Sequence, residues 1–158
     1  MKRLILFATT LVLSFRLNAE LIETDICVLG GTSAGIIAAV KAKQLGKSVV
    51  LVEPGKFLGG LTTGGLSATD IGNKAAVGGL SREFYHRIAL HYKKDASWTL
   101  EKRGDYFSKR GSGQSAASNL DAAGATMWTF EPKVARAVYD VWLKEANVRA
   151  LREQRHVG

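Results

Sequence analysis

Between Thr24 and Gly30 the chain reads TDICVLG, a polar start followed by an unbroken apolar run. That pattern predicts a short buried strand of a parallel sheet. A glycine turn comes next, and then AGIIAAVKAKQLG, rich in alanine and ended by Gly46, which predicts a helix with a glycine stop. KSVVLVEP supplies a second β-branched strand, closed by Pro54. Strand, turn, helix and strand within about thirty residues make a βαβ unit with a right-handed crossover.

The stretch Gly55–Leu80 carries seven glycines between Gly59 and Gly79, interleaved with Leu, Ile, Val and Ala. A flexible linker would be serine-rich and polar, so this glycine-rich loop (55–80) is expected to pack and to serve the site. A mobile connector is the other reading. Ser81 is placed to cap a helix REFYHRIALHYKK, on which Phe84, Ile88 and His91 share a face. Without a partner to act with, His86 and His91 read as surface or interface groups. From Asp95 to Thr126 the chain is polar, and GSGQSAASNLDAAGAT within this insertion (95–126) predicts a flexible excursion. Pro132 then suits a first helical turn, followed by an apolar stripe of Val134, Val138, Val141 and Trp142. Asn147 can take a left-handed ending, and VRAL begins another strand-like segment.

The N-terminus follows a different pattern. Lys2 and Arg3 precede the run LILFATTLVLSF, Leu4–Phe15, and small Ala19 offers a cleavage point. This is the layout of a secretory signal over residues 1–19, and its twelve residues are too few to span a bilayer. Arg16 departs from that layout, and a buried first strand or an uncleaved anchor are the alternatives. Loss of the segment removes Lys2, Arg3 and Arg16, three charges of the formal +8, leaving +5. The expected mature chain is exported and has no membrane span. The remaining basic residues are scattered rather than gathered on one stripe, which argues against nucleic acid as a partner. Cys27 is the only cysteine, so neither an internal disulfide nor a four-cysteine cluster can form, and no metal site is expected. In its apolar run Cys27 reads as a small core residue.

The turn itself, CVLGGTSAGIIAA, lacks one expected glycine. In the dinucleotide fingerprint GxGxxG the middle glycine lets the backbone approach a pyrophosphate; aligned on Gly30, this chain has Thr32 there and keeps Gly35 at the end. Backbone N–H groups at the helix start, with the helix dipole, would hold the phosphate. Glu53 ends the second strand 23 positions after Gly30, near the spacing for an acid that accepts from ribose hydroxyls. A carboxylate there disfavours a 2′-phosphorylated cofactor. A solvated strand-end acid is the plainer alternative.

Taken together, DICVLGGTSAGIIAAVKAKQLGKSVVLVEP, LGGLTTGGLSATD, GGLSREFYHRIALHY and WTFEPKVA resemble the FAD-dependent oxidoreductases related to heterodisulfide reductase. The likeness runs from Thr24 onward, and a GGTxAG turn is a familiar form of the glycine motif in that family. It implies a Rossmann-like FAD/NAD(P)-binding α/β fold with a parallel sheet over residues 20–158. It also implies that Gly30, Gly31, Thr32, Ser33, Ala34 and Gly35 surround the FAD pyrophosphate. Glu53 would hold the adenosine ribose with Pro54 beside it, and Gly59 and Gly60 would lie along the cofactor towards the flavin. Family members run to several hundred residues, with a later segment and a substrate domain. The resemblance therefore makes this chain the N-terminal, FAD-binding portion of an oxidoreductase acting on a small molecule, and it assigns no catalytic residue. Asn147 stands where the family favours glycine, and the missing cysteine cluster excludes the relatives' iron–sulfur centres. An NAD-binding module without flavin and a truncated, non-catalytic remnant remain as alternatives.

Overall fold

The computed structural model describes residues 20–110, 117 and 119–156, the side chain of Arg110 aside. The signal-like segment 1–19 lies outside the described residues, as do 111–116 and 118 of the polar insertion. Three strands, β1 (Ile26–Leu29), β2 (Val49–Glu53) and β3 (Arg149–Arg152), form an open parallel sheet in the order β1-β2-β3. Cys27 pairs with Val50, and Glu53 with Arg152. This is the α/β, parallel-sheet architecture expected of the pattern.

Position in the sheet decides burial. β2 is central, so Val49, Val50 and Leu51 are all buried. β1 is an edge strand, and among the described residues only β2 pairs with it. Val28 is half-buried against the glycine at the foot of α1, whereas Leu29 is 61% exposed. Cys27 is likewise exposed, not the core residue its apolar run suggested. A run of apolar residues reports a strand, but not whether a second layer covers it.

Helix α1 (Ser33–Gln44) crosses from β1 to β2 and buries Ile36, Ala39 and Val40. It ends where Gly46 turns at φ +77°. After β2 the short helix α2 (Leu61–Gly64) lies within the glycine-rich loop, with a 3-10 turn at Lys74–Ala76. Helix α3 (Gly79–Tyr92) starts from Gly78, without a side-chain cap. Ser81 therefore lies inside the helix and does not cap it. Phe84 and Ile88 are buried on its core face, while His91 is half-buried at the margin. His86 Nδ1 lies 2.7 Å from the carbonyl oxygen of Ala125, which requires the proton on Nδ1.

Residues 95–110 and 119–126 of the polar insertion hold more structure than their composition predicts, while most of the first half of GSGQSAASNLDAAGAT lies outside the described residues. The insertion contains α4 (Arg103–Arg110), and Tyr106, Leu120, Ala125 and Thr126 are buried. Aromatic contacts supply the reason: Trp98 packs on Tyr92 and on Tyr106, each pair with ring centroids 5.2 Å apart. Helix α5 (Pro132–Glu145) carries Pro132 at its start and closes on Asn147 at φ +52°. Its buried face is Val134, Ala135, Tyr139, Trp142 and Leu143. Val141 lies past the edge of that face at 52% exposure, so the stripe of four narrows to three, with Val138 at its margin. Phe84 of α3 stacks on Tyr139 of α5 at 4.6 Å, joining the helices over the core. Among the described residues no helix is long and apolar enough to cross a membrane.

Candidate functional site

The turn after β1 is built by backbone hydrogen bonds. Gly30, at φ +98°, donates its N–H to Val52 O at 2.8 Å, tying the turn to β2. The N–H of Gly31 donates to Glu53 Oε2 at 2.7 Å, and the N–H of Gly55 donates to Oε1 at 2.6 Å. The acid at the end of β2 therefore faces the turn and is held by two amides. Each carboxylate oxygen keeps a further lone pair for a ligand hydroxyl.

Thr32 takes the place of the missing glycine as the N-cap of α1. Its backbone is extended at φ −66° and ψ 171°, and its Oγ1 accepts the Gly35 N–H at 3.2 Å. The hydroxyl thus satisfies one helix-start amide, and its own hydrogen is engaged by no described group. No acidic residue occupies the first turn of α1, so the positive end of the helix dipole is left for an anion. At Gly35 the backbone approach is so close that a Cβ would overlap the carbonyl oxygen of Gly30. At Gly31 it would overlap Leu58 Cδ2.

A second glycine segment closes on the first. Gly59 and Thr32 form a parallel bridge, with the Gly59 N–H donating to Gly31 O at 2.7 Å. Ser33 Oγ lies 2.9 Å from Gly59 O and 2.8 Å from Thr62 Oγ1. The Tyr139 hydroxyl joins this cluster; burial raises its pKa, and hydrogen bonds from Ser33 and Thr62 oppose that rise. The fold thus brings together Gly30, Gly31, Thr32, Ser33, Gly35, Glu53 and Gly59, with Ala34 and Gly60 exposed beside them. Pro54, exposed, ends β2.

One cationic group was not legible in the sequence. Arg136 of α5 stacks its guanidinium 4.2 Å over the Phe57 ring and donates from Nη2 to Thr63 O at 3.3 Å. Its Nε is buried without a partner among the described residues. Phe57, half exposed, also carries Lys56 Nζ 5.7 Å from its ring centroid. Phe57 was visible as the one aromatic of its glycine-rich run, but nothing local links it to Arg136, 79 positions on. Among the described residues no group of three or more His, Cys, Asp or Glu gathers to hold a metal.

A parallel βαβ unit whose glycine turn opens a helix, and whose second strand ends in a carboxylate bonded to that turn, defines a dinucleotide-binding protein of the Rossmann type. The chain belongs to the FAD dependent oxidoreductase family, whose profile matches residues 25–158. That match does not single out the branch related to heterodisulfide reductase. Comparison with curated protein sequences found no match. Among solved structures the chain is similar to 3-ketosteroid-Δ4-(5α)-dehydrogenase from Rhodococcus jostii RHA1, at 16% identity and a TM-score of 0.45, over 90% of this chain and 40% of that one. It is also similar to L-amino acid deaminase from Proteus vulgaris, at 17% identity and a TM-score of 0.41, over 83% of this chain and 45% of that one. A flavocytochrome c3 fumarate reductase gives 18% identity and a TM-score of 0.42, over 82% and 26%. The chain therefore spans less than half the length of each of these structures.

The residues present fit FAD. Gly31 and Gly35 have no room for a Cβ against Leu58 and the Gly30 carbonyl, so the helix start closes tightly on the strand as the fingerprint requires, and Glu53 keeps lone pairs for a ribose. The helix start is uncompensated, and Arg136 holds an orphaned donor nearby on α5.

Proposed function

We propose that this chain is the FAD-binding part of an oxidoreductase, with the dinucleotide laid across the Gly30–Gly35 turn and Glu53. The observation that carries the reading is the Gly31–Glu53 bond, which brings the acid to the turn before any ligand arrives. In this reading the N–H groups of the turn and the Thr32 hydroxyl hold the pyrophosphate. Glu53 accepts from the adenosine ribose, and Gly59 and Gly60 leave a path towards the flavin. Bound FAD supplies the hydride acceptor, and the protein supplies position and electrostatics. The substrate is a small molecule. We further propose that the protein is exported with removal of residues 1–19, on the signal layout of that segment.

Titration of the purified chain with FAD, followed by flavin absorbance and fluorescence, tests the nucleotide reading. Saturable binding of one FAD, not displaced by excess NAD, is expected. Retention on immobilised NAD without flavin binding would replace it with a nicotinamide module, and binding of neither with a remnant.

A further inference from the structure

The motif WTFEPKVA has no part in the nucleotide turn, yet its residues Thr129–Lys133 form one wall of a cavity of about 660 Å³. Small-molecule sites fall in the range of about 300–1,000 Å³. Trp98, Leu100, Phe130 and Pro132 make this cavity largely apolar and aromatic. Two acids line it, Glu101 and Glu131, and the second has its partners in the wall. Glu131 Oε2 lies 3.0 Å from the Tyr92 hydroxyl, and Oε1 lies 2.9 Å from Lys133 Nζ. The Glu131 N–H also donates to the Tyr92 oxygen at 3.0 Å, so Tyr92 has only its proton to give and gives it to the carboxylate.

These contacts fix the kind of ligand. A carboxylate has about four acceptor positions, of which Tyr92 and Lys133 use two. The Glu131 side chain is 20% exposed and that of Lys133 66%, so the ammonium sits at the mouth and offsets the negative charge. What is left on Glu131 is acceptor capacity facing aromatic walls. The site therefore suits a ring that carries a hydrogen-bond donor. The cavity is also joined to the nucleotide turn by the chain. The glycine run that starts on Thr32 at Gly59 leads to Ser67, which accepts the Phe130 N–H at 2.8 Å, and Ala68 bridges Thr129.

We propose that this cavity binds an apolar ring compound whose hydroxyl donates to Glu131. Its role as the substrate end of a flavoenzyme rests on the FAD reading; the binding itself does not.

The test uses 2-naphthol as probe, with naphthalene, which lacks the hydroxyl, for comparison. Trp98 Nε1–H donates to Tyr92 O at 2.9 Å at the cavity, and the chain has three tryptophans, so its indole signal in a ¹H–¹⁵N spectrum locates binding. The Trp98 signal should move saturably with 2-naphthol while that of Trp142 stays. Naphthalene should bind at least about ten-fold more weakly, the lower end of what a hydrogen bond to a charged group supplies. Glu131→Gln should lose about that factor for 2-naphthol and leave naphthalene unchanged. Because this change also touches Tyr92, Ser67→Phe, which fills the cavity from an exposed position, should abolish binding of both probes. An unmoved Trp98 signal, equal affinities for the two probes, or intact binding by Ser67→Phe would each overturn the proposal. A chain that binds FAD but not 2-naphthol keeps the nucleotide site and loses this one; the reverse result does the opposite.

Discussion

The amide of Gly31 and the carboxylate of Glu53 meet at 2.7 Å, so the turn after β1 and the end of β2 are one structural unit. Gly55 N–H on the other oxygen completes it. Replacing Glu53 by Gln leaves a single acceptor oxygen, and one of the two amides then faces an NH₂ group. FAD binding should weaken by roughly 1–2 kcal/mol, within the usual range for a lost hydrogen bond to a charged group. The melting temperature should fall as well, since the unpaired amide is present without ligand. Unchanged FAD affinity in a folded variant would reduce Glu53 to a solvated strand end.

Gly35 and Thr32 should respond in opposite ways. Gly35→Ala gains about 1 kcal/mol of helix propensity. The added Cβ, however, overlaps the Gly30 carbonyl oxygen, and backbone there has no rotamer with which to yield. The expected net result is a less stable protein that no longer binds FAD. Thr32→Gly removes an N-cap side chain at a cost of a few tenths of a kcal/mol and should retain binding. Thermal unfolding and flavin titration of the two variants decide this, and equal losses would contradict it.

Asn147 sits at φ +52° directly after α5, a conformation that glycine adopts without strain. Asn147→Gly should raise stability by up to about 1 kcal/mol, and Asn147→Val should lower it by at least as much, because a β-branched side chain tolerates that region worst. Urea midpoints give the comparison.

Acid should act through two groups at different pH. His91 has its pKa lowered from 6.5, chiefly by burial, so the folded state resists a proton that the unfolded chain accepts. Stability should begin to fall as pH drops below about 6.5. Asp25 Oδ2 accepts from both the N–H and the hydroxyl of Ser48, and its pKa lies below the ordinary 3.8. The stability it adds is complete above that value and is lost as pH falls through the lowered one. Ser48→Ala should flatten only the limb below about pH 3.8. Identical acid limbs in wild type and variant would show that the Ser48 hydroxyl contributes nothing to the Asp25–Ser48 link.

Export predicts a mature N-terminus at Glu20. N-terminal sequencing of protein from a cell-envelope fraction should read Glu-Leu-Ile-Glu, and an intact Met1 in a cytoplasmic pool would refute export while leaving the nucleotide site untouched.

By itself the sequence determined the features that short-range physics controls. The βαβ unit followed from apolar periodicity, the stop of α1 from Gly46, the start of α5 from Pro132 and its end from Asn147. The place of Glu53 near the turn followed from spacing, because β1, α1 and β2 are consecutive, whereas its bond to the Gly31 amide became visible only in the fold. Tertiary structure alone decided what depends on neighbours far along the chain. Cys27 is exposed because, among the described residues, β1 lies at the sheet edge, and β3, more than a hundred residues later, joins β2 instead. The start of the polar insertion is packed because Trp98 meets both Tyr106 and Tyr92. Arg136 reaches Phe57, and Glu131 turns towards Tyr92, only because α5 packs against α2 and α3. Local pattern states which face of an element is apolar; burial, pairing and cavities arise from which elements meet, and that choice is cooperative over the whole chain.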